Sequence, residues 1–123
     1  MKYLIERASA ITPKDSLDDL LKNKKSLRIK LGVDPTAPDV TLGWYAILRA
    51  LRKFQDYGHT AVLILGEFTA QVGDPSGKSE TRTQLEENQI DDNSKGVLPI
   101  IKDILNEENL EIVSNKDWLS KLA

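Results

Sequence analysis

The stretch LRIKLGVDPTAPDVTLGWYAILRALRKFQDYGHTAVLILG, residues 27–66, decides the fold. Leu27, Ile29, Leu31 and Val33 alternate with Arg28 and Lys30, the period of a strand with one drier face. DPTAPD, residues 34–39, is a loop, because its prolines and aspartates do not fit a hydrogen-bonded ladder. From about Leu42 to Tyr57, Trp44, Ile47, Leu48, Leu51 and Phe54 form an apolar stripe, with Arg49, Arg52 and Lys53 elsewhere. That is an amphipathic helix, N-capped by Thr41 and closed by Gly58. TAVLILG, residues 60–66, is a continuous apolar run, the pattern of a strand buried on both faces. Strand, long crossover helix and strand make a parallel βαβ unit.

Working outward, Thr12-Pro13 followed by Leu17, Leu20 and Leu21 predicts a capped helix that ends in KNKKS. Residues 67–83 read as a long polar loop. A helical pattern resumes from Gln84 to Leu105, where DDNSKG and Pro99 predict a kink or two helices. LEIVS is a third strand, and NKDWLSKLA a final turn or helix with Asn115 as N-cap. The expected class is α/β: half of a Rossmann-like doubly wound fold, about three parallel strands with flanking helices. The expected division is an N-terminal helical segment, 1–26, and a Rossmann-like half domain, 27–123. One flank of the strand Leu27–Val33 is left as an open edge, which predicts a homo-oligomer or a protein partner there.

Composition narrows the functional classes. A chain of 123 residues holds one core. A net charge of −2 argues against a general nucleic-acid binder. Absence of cysteine excludes disulfides, thiolate metal sites and cysteine nucleophiles, and the single histidine excludes histidine-pair catalysis. His59 itself reads as a solvated turn residue. No metal site is expected. The N-terminus lacks a signal-like apolar region, and no apolar run approaches the ~20 residues that span a bilayer, so the expectation is a cytoplasmic chain without a membrane partner.

The candidate site lies where the first strand ends. In open α/β sheets, ligands bind outside the carboxyl ends of the strands, and a helix N-terminus offers free N–H groups to phosphate. Thr36 and Thr41 add hydroxyls there, and Gly43 lets a ligand approach the backbone. GDPSGKS, residues 73–79, falls one residue short of the P-loop spacing. It reads equally as a plain turn, or as a nest of N–H groups beside Asp74, whose carboxylate can hold a ligand's ammonium group.

LGVDPTAPDVTLG, LRKFQDYGHTAVLILGEFTAQVGDPSGKSETR and EIVSNKDWLSKL together resemble the N-terminal half of the catalytic domain of bacterial tyrosyl-tRNA synthetase, in order from about Leu27 to Leu122. The resemblance implies a nucleotide site that includes Gly32, Asp34, Thr36, Thr41 and Gly43, with ATP as the ligand, and a tyrosine-binding role for Asp74. No cofactor is required. The family's His-x-Gly-His signature, whose imidazoles stabilise charge on the ATP phosphates, is Thr-Leu-Gly-Trp here, so Thr41 and Trp44 stand at the histidine positions. Loss of one such donor costs ~3 kcal/mol, about a hundredfold in rate. No residue is therefore assigned as catalytic, and Trp44 is expected to pack over or into the cleft as a plug. The family's second half, with its Lys-Met-Ser-Lys-Ser loop, is not in this sequence, so tRNA is an unexpected partner. The expected function is a truncated synthetase-like binding or interaction module that acts through its open sheet edge and does not charge tRNA; the alternatives are residual ATP and tyrosine binding with weak adenylate-forming capacity, or a fragment of a tyrosine-tRNA ligase.

Overall fold

The structure is a computed structural model that describes residues 2–23, 26–72 and 85–122. Two N-terminal helices, α1 (Lys2–Arg7) and α2 (Lys14–Asn23), precede strand β1 (Arg28–Val33). Helix α3 (Leu42–Asp56) crosses to β2 (Thr60–Leu65), which runs into the short α4 (Glu67–Val72). Helix α5 (Glu87–Ile104) and a 3-10 turn at Glu107–Asn109 lead to β3 (Leu110–Ser114), and α6 (Lys116–Leu119) follows. The sheet has the order β1-β2-β3, parallel throughout. The α/β half-sheet anticipated from the apolar periods is therefore the observed one.

Burial explains the order. β2 is central and nearly all buried, whereas β1 alternates exposed and half-buried residues, as its sequence alternates. Ala61, Leu63 and Leu65 share one face of β2, and Leu48 and Leu51 of α3 pack there with Val97 and Ile101 of α5. Full burial of a leucine-sized side chain contributes about 1.5–3 kcal/mol, so this cluster is the main source of cohesion. Gly58 adopts φ 86° just beyond α3, a left-handed conformation that a side chain would strain.

The register sets the site. Val33 pairs with Leu65, and Leu65 with Ser114, so all three strands end level. The ladder then extends one residue further, as Gly66 N–H donates to Val33 O at 2.7 Å and Asn115 N–H to Leu65 O at 2.9 Å. Among the described residues, the other edge of β1 has no strand partner.

Several local expectations are corrected. Residues 87–104 form one helix that continues through Pro99. Interior proline costs about 3 kcal/mol. Burial of Ile90, Val97 and Ile101, with the Glu86–Gln89 capping box, offsets that cost. Residues 67–72 are helical rather than loop, because the end of β3 fixes their first turn: Asn115 Oδ1 accepts from Phe68 N–H at 2.9 Å. Asn115 thus occupies an N-cap position without a side-chain cap bond to its own helix. His59 is 6% exposed, not solvated, and its Nδ1 accepts from Leu27 N–H at 3.2 Å. On α3, Ile47 is 52% exposed although it lies on the apolar stripe, and Gln55 is buried instead.

Candidate functional site

The loop after β1 is held from two sides. Pro35 is fully buried, and its carbonyl accepts from Asn93 Nδ2 of α5 at 3.0 Å. Gly96, one turn along α5, meets Pro38: a Cβ there would lie 2.7 Å from Pro38 O and 2.9 Å from Pro38 Cβ. Only a bare backbone lets α5 approach this closely. Thr36 N–H donates back to Asp34 O at 2.8 Å, which tightens the turn.

The far end of the loop is the start of α3. Thr41 is extended, φ −69° and ψ 163°, and its Oγ1 accepts from Trp44 N–H at 3.3 Å. Thr41 is therefore a true N-cap, and its hydroxyl oxygen satisfies one N–H that a ligand would otherwise meet. Gly43 has open space on its Cα, with Thr41 Oγ1 at 3.8 Å the one atom near an added Cβ.

Asp34 sits where the three strand ends converge. Its Oδ1 accepts from Thr69 Oγ1 at 2.7 Å, and Asn115 Nδ2 donates to that threonine oxygen at 3.1 Å. One chain of hydrogen bonds thus spans the ends of β1, β2 and β3. Beside it, Ser114 Oγ donates to the Glu67 carboxylate. Thr69 and Asn115 were missed as site-building residues in the sequence, where Thr69 lies in a polar stretch and Asn115 reads only as an N-cap, 35 and 81 positions from Asp34.

A cleft of about 290 Å³ opens at this end of β1 and α3, lined by Leu31, Gly32, Asp34, Thr36, Trp44 and Ile47 among others. Four of the residues singled out in the sequence, Gly32, Asp34, Thr36 and Trp44, are thereby brought together. Thr41 and Gly43 lie at the adjoining helix terminus rather than in the lining. Trp44, expected to pack over or into the cleft, is among the residues that line it. Its ring packs against the core cluster, half-buried, which explains why the space beside it stays open. Asp74 and the GDPSGKS stretch lie outside the described residues. Among the described residues, no three His, Cys, Asp or Glu side chains converge as metal ligands, and no helix is long and apolar enough to cross a membrane.

A parallel sheet with crossover helices, whose strand ends carry a cleft beside an N-capped helix, defines a Rossmann-like open α/β fold. Residues 22–123 match the model of the class I tRNA synthetases (W and Y). The chain belongs to that family, and its match is to the N-terminal catalytic part of tyrosyl-tRNA synthetase. It is 43% identical over 123 residues to a tyrosine–tRNA ligase of Thermotoga maritima, covering 100% of this chain and 31% of that protein. Against a tyrosine–tRNA ligase of Prochlorococcus marinus it is 48% identical over 116 residues, covering 86% and 28%. The chain therefore spans less than a third of the length of these relatives. In fold it is similar to tyrosyl-tRNA synthetase of Archaeoglobus fulgidus complexed with L-tyrosine, with TM-score 0.73, 18% identity and coverage of 94% of this chain and 34% of that one. A C-terminally truncated mitochondrial tyrosyl-tRNA synthetase of Coccidioides posadasii gives TM-score 0.71 at 23% identity, covering 99% and 36%.

Proposed function

We propose that this chain is a nucleotide-binding module of tyrosyl-tRNA synthetase type, which receives the phosphate end of ATP beside the N-terminus of α3 and is impaired in the chemical step. The observation that carries the reading is the open cleft at the end of β1, walled by Trp44 and floored by Gly32, Asp34 and Thr36. Impairment follows from what replaces the imidazoles. Thr41 spends its oxygen on the helix cap, and Trp44 is held half-buried against the core. Neither offers a mobile cationic donor to charge that develops on a phosphate. Tyrosine binding through Asp74 belongs to the same reading and rests on the family resemblance.

Calorimetry with ATP, and separately with tyrosine, at millimolar ligand tests it. Heat with ATP that disappears in Asp34→Ala, together with pyrophosphate exchange at background, is the expected result. Absence of ATP heat and of any thermal shift overturns the reading.

A second reading is favoured by the edge of β1, which has no strand partner among the described residues. Ile29, Leu31 and Val33 beside it are half-buried against the core cluster, which keeps the strand in place. An unpaired edge of this kind accepts another strand, from a second copy or from a different polypeptide. Sedimentation that shows a monomer at tens of micromolar, with no strand partner captured, counts against that role and leaves nucleotide binding untouched.

A further inference from the structure

A larger groove lies away from the strand ends, between α1 and the outer face of α3, with a volume of about 460 Å³. Its floor is Ala46, Ala50 and Phe54, which recur every fourth residue and form one stripe along α3, and Leu4 of α1 faces them. Three cations rim it: Arg49 and Lys53 on α3 and Arg7 on α1. Among the described residues no carboxylate lines the groove, although the chain as a whole has a net charge of −2. Arg7 lies over the Tyr3 ring at 4.1 Å, and among the described residues neither Arg7 nor Arg49 forms an ion pair. Lys53 makes one loose, exposed contact, 3.8 Å to Asp56.

We propose that this groove is the docking site for an acidic amphipathic helix of a partner protein. Spacing chooses the occupant. Arg49 and Lys53 are one turn apart, about 6 Å along the axis, with Arg7 on the opposite wall, and a single anionic headgroup held among them would leave the apolar floor uncovered. A helix with carboxylates four residues apart meets Arg49 and Lys53 in step. Its apolar side chains enter between Leu4 and Phe54, and the two alanines let its backbone approach α3. A nucleic-acid strand would satisfy the cations but leave the alanine and phenylalanine floor wet, whereas helix-in-groove docking covers both features.

The test is fluorescence anisotropy on the intact chain with a labelled helical peptide of about 18 residues that carries Leu and Ala on one face and Glu pairs at four-residue spacing. The double reversal Arg49→Glu/Lys53→Glu is expected to weaken binding about tenfold or more, and a matching peptide with Lys for Glu is expected to regain affinity for the reversed protein. Arg7→Ala gives a smaller loss in the same direction. The Lys peptide on the reversed protein also checks folding, since an unfolded variant binds neither peptide selectively. Failure of the Glu peptide to bind the unaltered chain overturns the proposal. So does equal binding of Glu and Lys peptides, or displacement by a single-stranded uridine oligonucleotide at lower concentration than by unlabelled peptide.

Discussion

Thr69 donates its hydroxyl hydrogen bond to the Asp34 carboxylate over 2.7 Å, tying the first turn of α4 to the end of β1. Gly66 lies beneath that bond: an added Cβ would fall 1.8 Å from Asp34 Oδ1 and 2.6 Å from Thr69 Oγ1. Gly66→Ala therefore swings Asp34 away and breaks the bond. The expected loss is about 1.5 kcal/mol, the low end for a hydrogen bond to a charged group. Thermal unfolding in pairs checks the cause: in an Asp34→Ala background the same methyl should cost less, because its nearest obstruction is gone and only Thr69 Oγ1, at 2.6 Å, must still give way.

Gly96→Ala is expected to behave differently, because its obstruction is backbone. The new methyl meets Pro38 O at 2.7 Å and Pro38 Cα at 3.1 Å, and neither rotates out of the way. Alanine gains about 1 kcal/mol of helix propensity. Overpacking costs typically 1–3 kcal/mol, so the clash wins and α5 moves off the loop. For a net loss of about 1 kcal/mol, a fall in Tm of roughly 3–6 °C is expected, between the shifts of smaller and larger domains. A rise in Tm would show that the loop yields more cheaply than its buried Pro35 suggests.

What was legible in the sequence divides by range. β1, α3 and β2 carry periods of two or 3.6 residues within single segments, and Gly58 marks its own helix end, so local pattern suffices. The residues misjudged act across the chain. His59 is buried because its ring receives Leu27 N–H and packs near Phe54, and its carbonyl accepts from Asn109 Nδ2 at 2.8 Å. Asn115 serves α4 rather than its own helix. Gly96 is required by Pro38, not by its helix. At the site, Gly32, Asp34 and Thr36 were legible because loop position and resemblance agreed. How the indole of Trp44 sits against the cleft was not, since that depends on neighbouring side chains that periodicity does not place.

Gln55 is the most heavily bonded buried side chain on α3, at 5% exposure. Its Nε2 donates to Asn106 O at 2.8 Å and Asn109 O at 2.9 Å, while Oε1 accepts from Asn106 N–H at 2.9 Å. It fastens α3 to the turn that enters β3. Gln55→Ala leaves these backbone groups without a partner, and about 3 kcal/mol is the expected loss. Gln55→Glu aims a carboxylate at two carbonyl oxygens, which favours its protonated form in the folded state. A group whose folded pKa is raised gives stability that declines as pH rises above its unfolded value, ~4.3. Urea titrations should therefore find Gln55→Glu closest to the unaltered chain near pH 4 and furthest from it at neutral pH. A pH-independent difference would refute this account of the bonds.

The pair Arg28–Glu111 gives the opposite pH dependence. Arg28 Nε donates to Glu111 Oε1 at 3.1 Å and its second nitrogen to Oε2, so the guanidinium bridges from β1 across β2 to β3. The hydrogen bond to Arg28 holds the Glu111 carboxyl below its ordinary value. A lowered acid contributes stability that is present above its unfolded pKa, ~4.3, and is lost as pH falls through the folded value. The bond to Glu111 also raises Arg28, and that limb lies at alkaline extremes outside ordinary measurement. Both side chains are largely exposed, so added salt should weaken the contribution as well. Melting curves of the unaltered chain and Arg28→Ala should thus differ slightly at pH 7 in low salt, and the gap should close below about pH 4 and in about 1 M salt. A gap that persists unchanged in acid would mean that Arg28 acts through its aliphatic stem rather than by its charge.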